Sequence, residues 1–218
     1  MVRSCGPGGV GGWGQTVRMS ESRSAVLGGP GLVWVRSMGG PLVVVPRSAL
    51  QSWGGCTEGG TILGGTDGPD DYDRACAVEG WAGLVETGGA YALVLGGEPA
   101  TTCYLPQQRV FLRWLAADSD TELLAAAEAV LAGPATAWED CGLWVTDGAA
   151  VLMDSAEAGA DLGVEYPSGG GQPDQAPVDL PTGRWRVRAC HTTGEYPWVG
   201  VVQLLAEPAP SSAVDAAR

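Results

Sequence analysis

Residues 109–134, RVFLRWLAADSDTELLAAAEAVLAGP, change period part-way along, and that change decides the fold class. In the first part Val110, Leu112 and Trp114 alternate with Arg109, Phe111 and Arg113, the period of two expected of a half-buried strand. After Asp118 the spacing Ser119-x-x-Glu122 makes a capping box, whose hydroxyl and carboxylate each satisfy a backbone N–H left free by the first helical turn. Leu123, Leu124, Ala127, Val130 and Leu131 then share one arc of the helical wheel, with Thr121, Glu122, Ala125 and Glu128 outside it. Gly133 and Pro134 end the run. The expectation is a strand followed by one principal helix over about 119–132. Most other segments read as short strands, so the simplest architecture is α+β, one mainly antiparallel sheet covered by that helix.

Outward from this unit the strand signals vary in strength. LVWVR and PLVVVP, separated by Ser37-Met38-Gly39-Gly40, read as a hairpin, and Pro41 and Pro46 suggest an edge position for the second run. Ser48 opens a short helical turn through Trp53. WAGLVET and AYALVLG flank Gly88-Gly89, a second hairpin, and ATTCYLP is a short strand. Asp147-Gly148 between CGLWV and AAVLMDS is the strongest short hairpin signal in the chain. Residues 157–181 read as a long surface loop. In GRWRVRA, Trp185, Val187 and Ala189 face inward and Arg184, Arg186 and Arg188 outward; PWVGVVQLLA is the last strand. Residues 1–31, glycine-rich and without apolar periodicity, read as a disordered extension with Met19 an internal candidate start. Residues 32–206 read as one domain and 207–218 as a flexible tail.

Charge is unevenly placed. All twelve basic residues are arginine, and the formal net charge is −13. Residues 114–183 hold thirteen acidic residues and no basic one, so this segment carries the whole net charge. Such a segment repels nucleic acid and anionic membrane and steers toward basic partners. No apolar run is long enough for a membrane span, and the N-terminal residues do not make a signal-peptide core. The expectation is a soluble, cytoplasmic protein. The six cysteines are scattered without CxxC spacing, which favours reduced, buried thiols.

Motifs for chemistry are sparse. His191 is the sole histidine, and no short ligand spacing surrounds it, so neither metal nor cofactor is expected. Cys190 beside it points to the opposite strand face, whereas Cys103 or Cys141 could reach it in the fold. Asp67, Asp70, Asp71 and Asp73 lack the spacing of an EF-hand loop. Asp70 instead suits a helix cap, with Asp71 and Asp73 in the first turn and Arg74 able to pair with one of them. There is no G-x-S-x-G, P-loop or HExxH pattern. If the strands carrying Arg109, Arg113, Arg184, Arg186 and Arg188 were neighbours, these would form a basic stripe, to be met by internal carboxylates or by an acidic partner. Trp114 and Trp185 read as core. Trp53, Trp81 and Trp138, near element ends, could be exposed anchors, with core the default.

WVRSMGGPLVVVP, DYDRACAV, VLGGEPATTCYLP, FLRWLAADS, VLMDSAEAG and LPTGRWRVRA, in that order, resemble the immunity protein 21 family of actinobacterial polymorphic-toxin systems. The resemblance spans residues 32–206. It implies a small cytoplasmic protein, usually encoded beside a toxin gene, that binds the cognate toxin and protects the producing cell. It supplies no binding residues. From the charge pattern, the candidate toxin contacts are Asp70, Asp71 and Asp73, then Glu139, Asp140, Asp147, Glu157 and Asp161, facing a basic toxin such as a nuclease domain. The alternatives are a small hydrolase using a carboxylate pair, or a non-enzymatic adaptor.

Overall fold

The five residues LVVVP of Leu42–Pro46 contain no polar side chain, and all five are buried. A strand apolar on both faces needs cover on both, and the architecture supplies it. The computed structural model describes residues 31–208; of the tails expected at 1–31 and 207–218, residues 1–30 and 209–218 lie outside them, while Glu207 ends the last strand.

In chain order the strands are β1 (Trp34–Val35), β2 (Leu42–Pro46), β3 (Gly83–Thr87), β4 (Ala90–Leu95), β5 (Thr102–Leu105), β6 (Val110–Ala116), β7 (Glu139–Thr146), β8 (Ala150–Asp154), β9 (Gln175–Val178), β10 (Gly183–His191) and β11 (Trp198–Glu207). Two helices, α1 (Asp71–Cys76) and α2 (Asp120–Ala132), and one 3-10 turn at Leu50–Ser52 complete the elements. The strands form two antiparallel sheets rather than the single sheet expected. Sheet A has the order β1-β5-β6-β11-β10-β7 and sheet B the order β3-β4-β2-β8-β9.

The sheets pack face to face. Phe111, Trp144, Trp185, Val187, Val202 and Leu204 of sheet A meet Leu42, Val44, Leu93, Leu95 and Leu152 of sheet B in one core. On the far side of sheet A, α2 lays Leu123, Ala127 and Val130 over Val110, Leu112, Val199 and Val201. On the far side of sheet B, Trp53, Ala75 and Leu162 cover Val43, Val45, Val94 and Met153.

The principal helix forms where its Ser119 cap and apolar arc place it, but the reciprocal half of the expected box goes to Asp118 N rather than to Ser119 N. Ser119 Oγ accepts from Glu122 N at 3.2 Å, while the Glu122 carboxylate reaches back to Asp118 N at 3.1 Å. The Gly88-Gly89 hairpin forms too: Thr87 pairs with Ala90, and positive φ at both glycines (55° and 77°) makes the twist that a two-residue connection needs.

Two other expected hairpins do not form. β1 pairs with β5, and β2 inserts between β4 and β8, so residues 37–40 carry the chain from one sheet to the other. This also overturns the edge position for β2. Its prolines cost no ladder bond, because Pro41 precedes the strand and Pro46 ends it, where Arg47 N bonds Ala149 O at 3.0 Å. Asp147-Gly148 likewise marks a crossing, from β7 in sheet A to β8 in sheet B. Residues 157–181 are not all loop, since β9 adds to the edge of sheet B.

β6 keeps its alternation but is not half-buried. Its arginine faces the inter-sheet side, where Arg113 is only 1% exposed. The guanidinium donates to Gly96 O and, at 2.6 Å, to Glu98 O, closing the β4–β5 connection over the end of the core. Across the sheet, Arg113, Gly200 and His191 lie in one row of register. A Cβ on Gly200 would sit 2.8 Å from His191 Nε2 and 3.0 Å from Arg113 Cβ, so glycine is what lets these two side chains meet. Replacing Arg113 by alanine strands the buried carbonyl of Gly96, removes the bond to Glu98 O and opens the core end. The expected cost is about 3 kcal/mol, measured as a shift in the urea midpoint without change in slope.

Candidate functional site

The eight acidic candidates divide between two places. Asp70, Asp71, Asp73, Glu157 and Asp161 belong to the layer over the far face of sheet B, whereas Glu139, Asp140 and Asp147 belong to β7 and the turn after it.

In the first group, α1 starts because Asp70 caps it. Its Oδ1 accepts from Asp73 N at 2.8 Å while Asp73 Oδ2 accepts from Asp70 N at 3.0 Å, a reciprocal box made by two aspartates. These carboxylates also gather the glycine-rich segment before the helix. Asp70 Oδ2 accepts from Thr57 N at 2.7 Å, Asp71 Oδ2 from Gly54 N at 2.6 Å, and Asp73 from Thr61 N at 2.6 Å and Ile62 N at 2.8 Å. Asp71 further pairs with Arg74. Asp71 and Asp73 are buried, so this trio points into its own loop. Glu157 accepts from Tyr166 Oη at 2.7 Å and is half-buried, while Asp161 is exposed.

In the second group, Glu139, Asp140 and Asp147 are exposed. Glu139 accepts from Trp81 N at 3.2 Å, and Asp140 pairs with Arg186 at 3.0 Å. Glu139 and Asp147 stand at opposite ends of β7, roughly 25 Å apart.

The arginine stripe does not form, because β11 lies between β6 and β10. Arg109 lies over the ring of Trp185, 5.1 Å from its centroid, and Arg113 is buried in the inter-sheet core. Arg184, Arg186 and Arg188 line the outer face of sheet A. Arg186 is matched by Asp140 and Glu207, and Arg188 covers Trp138 at 4.0 Å and bonds Gln203. Trp138, under Arg188, and Trp81, against His191, are half-covered, and Trp53 is core, with Nε1 donating to Ser155 O at 3.0 Å.

His191 stacks on Trp81, ring centroids 3.9 Å apart, and its Nε2 faces Arg113 Nη1 at 3.2 Å. A guanidinium only donates, so Nε2 accepts. Burial, then the Arg113 charge, pushes the His191 pKa down to about 4. Neither Cys103 nor Cys141 bonds to it. Cys103 faces α2 and Cys190 the same layer, and burial raises the Cys103 thiol to about 12 and the Cys141 thiol to about 11. Among the described residues no group of three or more His, Cys, Asp or Glu side chains is arranged to hold a metal ion, and no helix is long and apolar enough to cross a membrane.

The sequence profile described as immunity protein 21 matches residues 33–196. The chain belongs to this family. That match falls within the stretch whose motifs suggested it, and it covers every described strand except β11, which begins at Trp198. No curated protein and no solved structure matches the chain.

Sequence reasoning placed the Asp70 cap and its first-turn acids correctly, because capping is local. It missed the Arg113–His191–Trp81 contact, which register across three strands creates and no spacing announces. Two measurements follow from the α1 layer. Asp70→Ala should cost about 1 kcal/mol by chemical denaturation. Burial opposes ionisation of Asp73, but donors from Ile62, Asp70 and Thr61 outweigh it and pull its pKa down to about 2. The folded value lies below the unfolded one, so the stabilisation is complete above about pH 4 and is lost as pH falls toward 2. Thermal melts of Asp73→Asn should start lower at neutral pH and show a flatter acid slope than the parent in that window.

Proposed function

We propose that the chain neutralises a cognate bacterial toxin in the cytoplasm of the producing cell, by binding it one to one and occluding its working surface. The observation that carries this reading is membership of the immunity protein 21 family over residues 33–196. Residues 32–206 act as one unit in this reading, and no chemistry of the chain's own is required.

The acidic surface gives the mechanism. A formal charge of −13, concentrated in residues 114–183, draws a basic partner from solution and speeds encounter. Lifetime of the complex then depends on desolvated aromatic and apolar contacts. A nuclease domain is the natural partner class, since a surface that binds nucleic acid is basic. Of the eight candidate carboxylates, Glu139, Asp140, Asp147 and Asp161 are exposed and so accessible to a partner, Glu139 and Asp140 while engaged by Trp81 N and Arg186, and Asp70, Asp71, Asp73 and Glu157 shape the loops beside Asp161.

The experiment is co-purification with the product of the adjacent gene, followed by calorimetry at two salt concentrations. One-to-one binding that weakens with salt is expected. Reversing Glu139, Asp140, Asp147 and Asp161 to arginine together should lower affinity by about tenfold or more while circular dichroism stays unchanged. Unaltered affinity would remove the acidic-surface mechanism and leave toxin binding to be explained by other contacts.

A further inference from the structure

We infer that the free edge of β7 is the docking element, taking up an extended basic strand of the toxin as a seventh strand of sheet A. This rests on the immunity reading and names its surface.

β7 is the last strand of sheet A, paired on one side only, with β10. At eight residues it is the longest sheet edge; β1 has two, β9 has four including Pro177, and β3 has five. Outside its ladder with β10, no β7 amide donates to another backbone carbonyl among the described residues; Gly142 N goes to the Asp140 carboxylate at 2.9 Å. An edge of this length is a template for another strand. Beside it on the outer face, beyond the cover of α2, Leu143 is 37% and Val145 49% exposed.

Charge selects the occupant. Glu139 and Asp140 open the strand and Asp147 follows it, with no basic residue on the strand itself. A bulge at Gly142 (φ 91°), where the register with β10 shifts, adds a second obstacle to indiscriminate pairing. Acidic guards disfavour neutral or acidic strands because pairing would desolvate them; a strand bearing Lys or Arg opposite Asp140, which stays 60% exposed in its pair with Arg186, lowers that cost. A second copy fits badly. Antiparallel pairing of β7 with itself would set Glu139 and Asp140 of one chain near Asp147 of the other, acid against acid. The preferred strand therefore carries a cation near the Asp140 end and apolar side chains beside Leu143 and Val145.

The test is amide hydrogen exchange of the full chain, alone and with the product of the adjacent toxin gene, together with the Val145→Asp variant. Val145 is outward-facing, so the variant's melting behaviour should stay close to the parent's. Strand addition predicts at least about tenfold slower exchange for edge-facing amides within 139–146 in the complex, and about tenfold weaker binding by Val145→Asp. A one-to-one complex with β7 exchange unchanged would overturn the inference and leave the immunity reading intact. Absence of any complex would overturn both. Protection that appears without toxin and rises with protein concentration would give the edge to a second copy, and would also overturn the inference.

Discussion

The close packing of two sheets through a shared apolar layer is what the rest of the molecule depends on. Trp144 and Trp185 lie in direct register on neighbouring strands and both point into that layer. Trp144 Nε1 donates to Tyr91 O at 2.7 Å, so a side chain of sheet A is tied to the backbone of sheet B. Aromatic side chains of this size dominate core energetics, and the indole N–H fixes orientation as well as area. Once the layer exists, the far face of sheet B and that of the β5, β6 and β11 half of sheet A are still apolar, and α1 with its loops on one side and α2 on the other are required to cover them.

That double cover separates what the sequence made legible from what it did not. α2, the β3–β4 hairpin and the facing of β10 rest on local signals: a capping box, two glycines at positive φ, and strict alternation. The partners of β1 and β2, and the crossing after β7, rest on which sheet offers cover for a given face. A turn signal such as Asp147-Gly148 fixes only a change of direction. LVVVP carries the missing clue, since a run without polar residues belongs between neighbours. Candidate side chains follow the same division. The Asp70 cap is legible from its own spacing, whereas the inward engagement of Asp71 and Asp73 depends on amides of a non-periodic loop.

The negative charge does two different jobs. Around α1 it is spent locally, with three carboxylates accepting backbone N–H groups that a glycine-rich loop would otherwise leave to water. Along β7 it stays outward, with Asp140 held by the nearby Gly142 N–H and by an exposed pair to Arg186, the latter worth little in water. A rigid acidic layer and a lightly restrained acidic strand therefore sit on one molecule. Encounter responds to the sum of both, while specific contact responds only to those charges not already engaged.

The position of β11 has a consequence for synthesis. It follows every other strand in the chain, yet it lies between β6 and β10 in the middle of sheet A. Until it leaves the ribosome, β6 and β10 present two raw inner edges, and the helix-covered half of the sheet has no bond to the half bearing β7. A chain without β11 therefore presents two unpaired strand edges, each a template for mispairing. Any ribosome that stops short of β11 yields a chain lacking the central seam of sheet A.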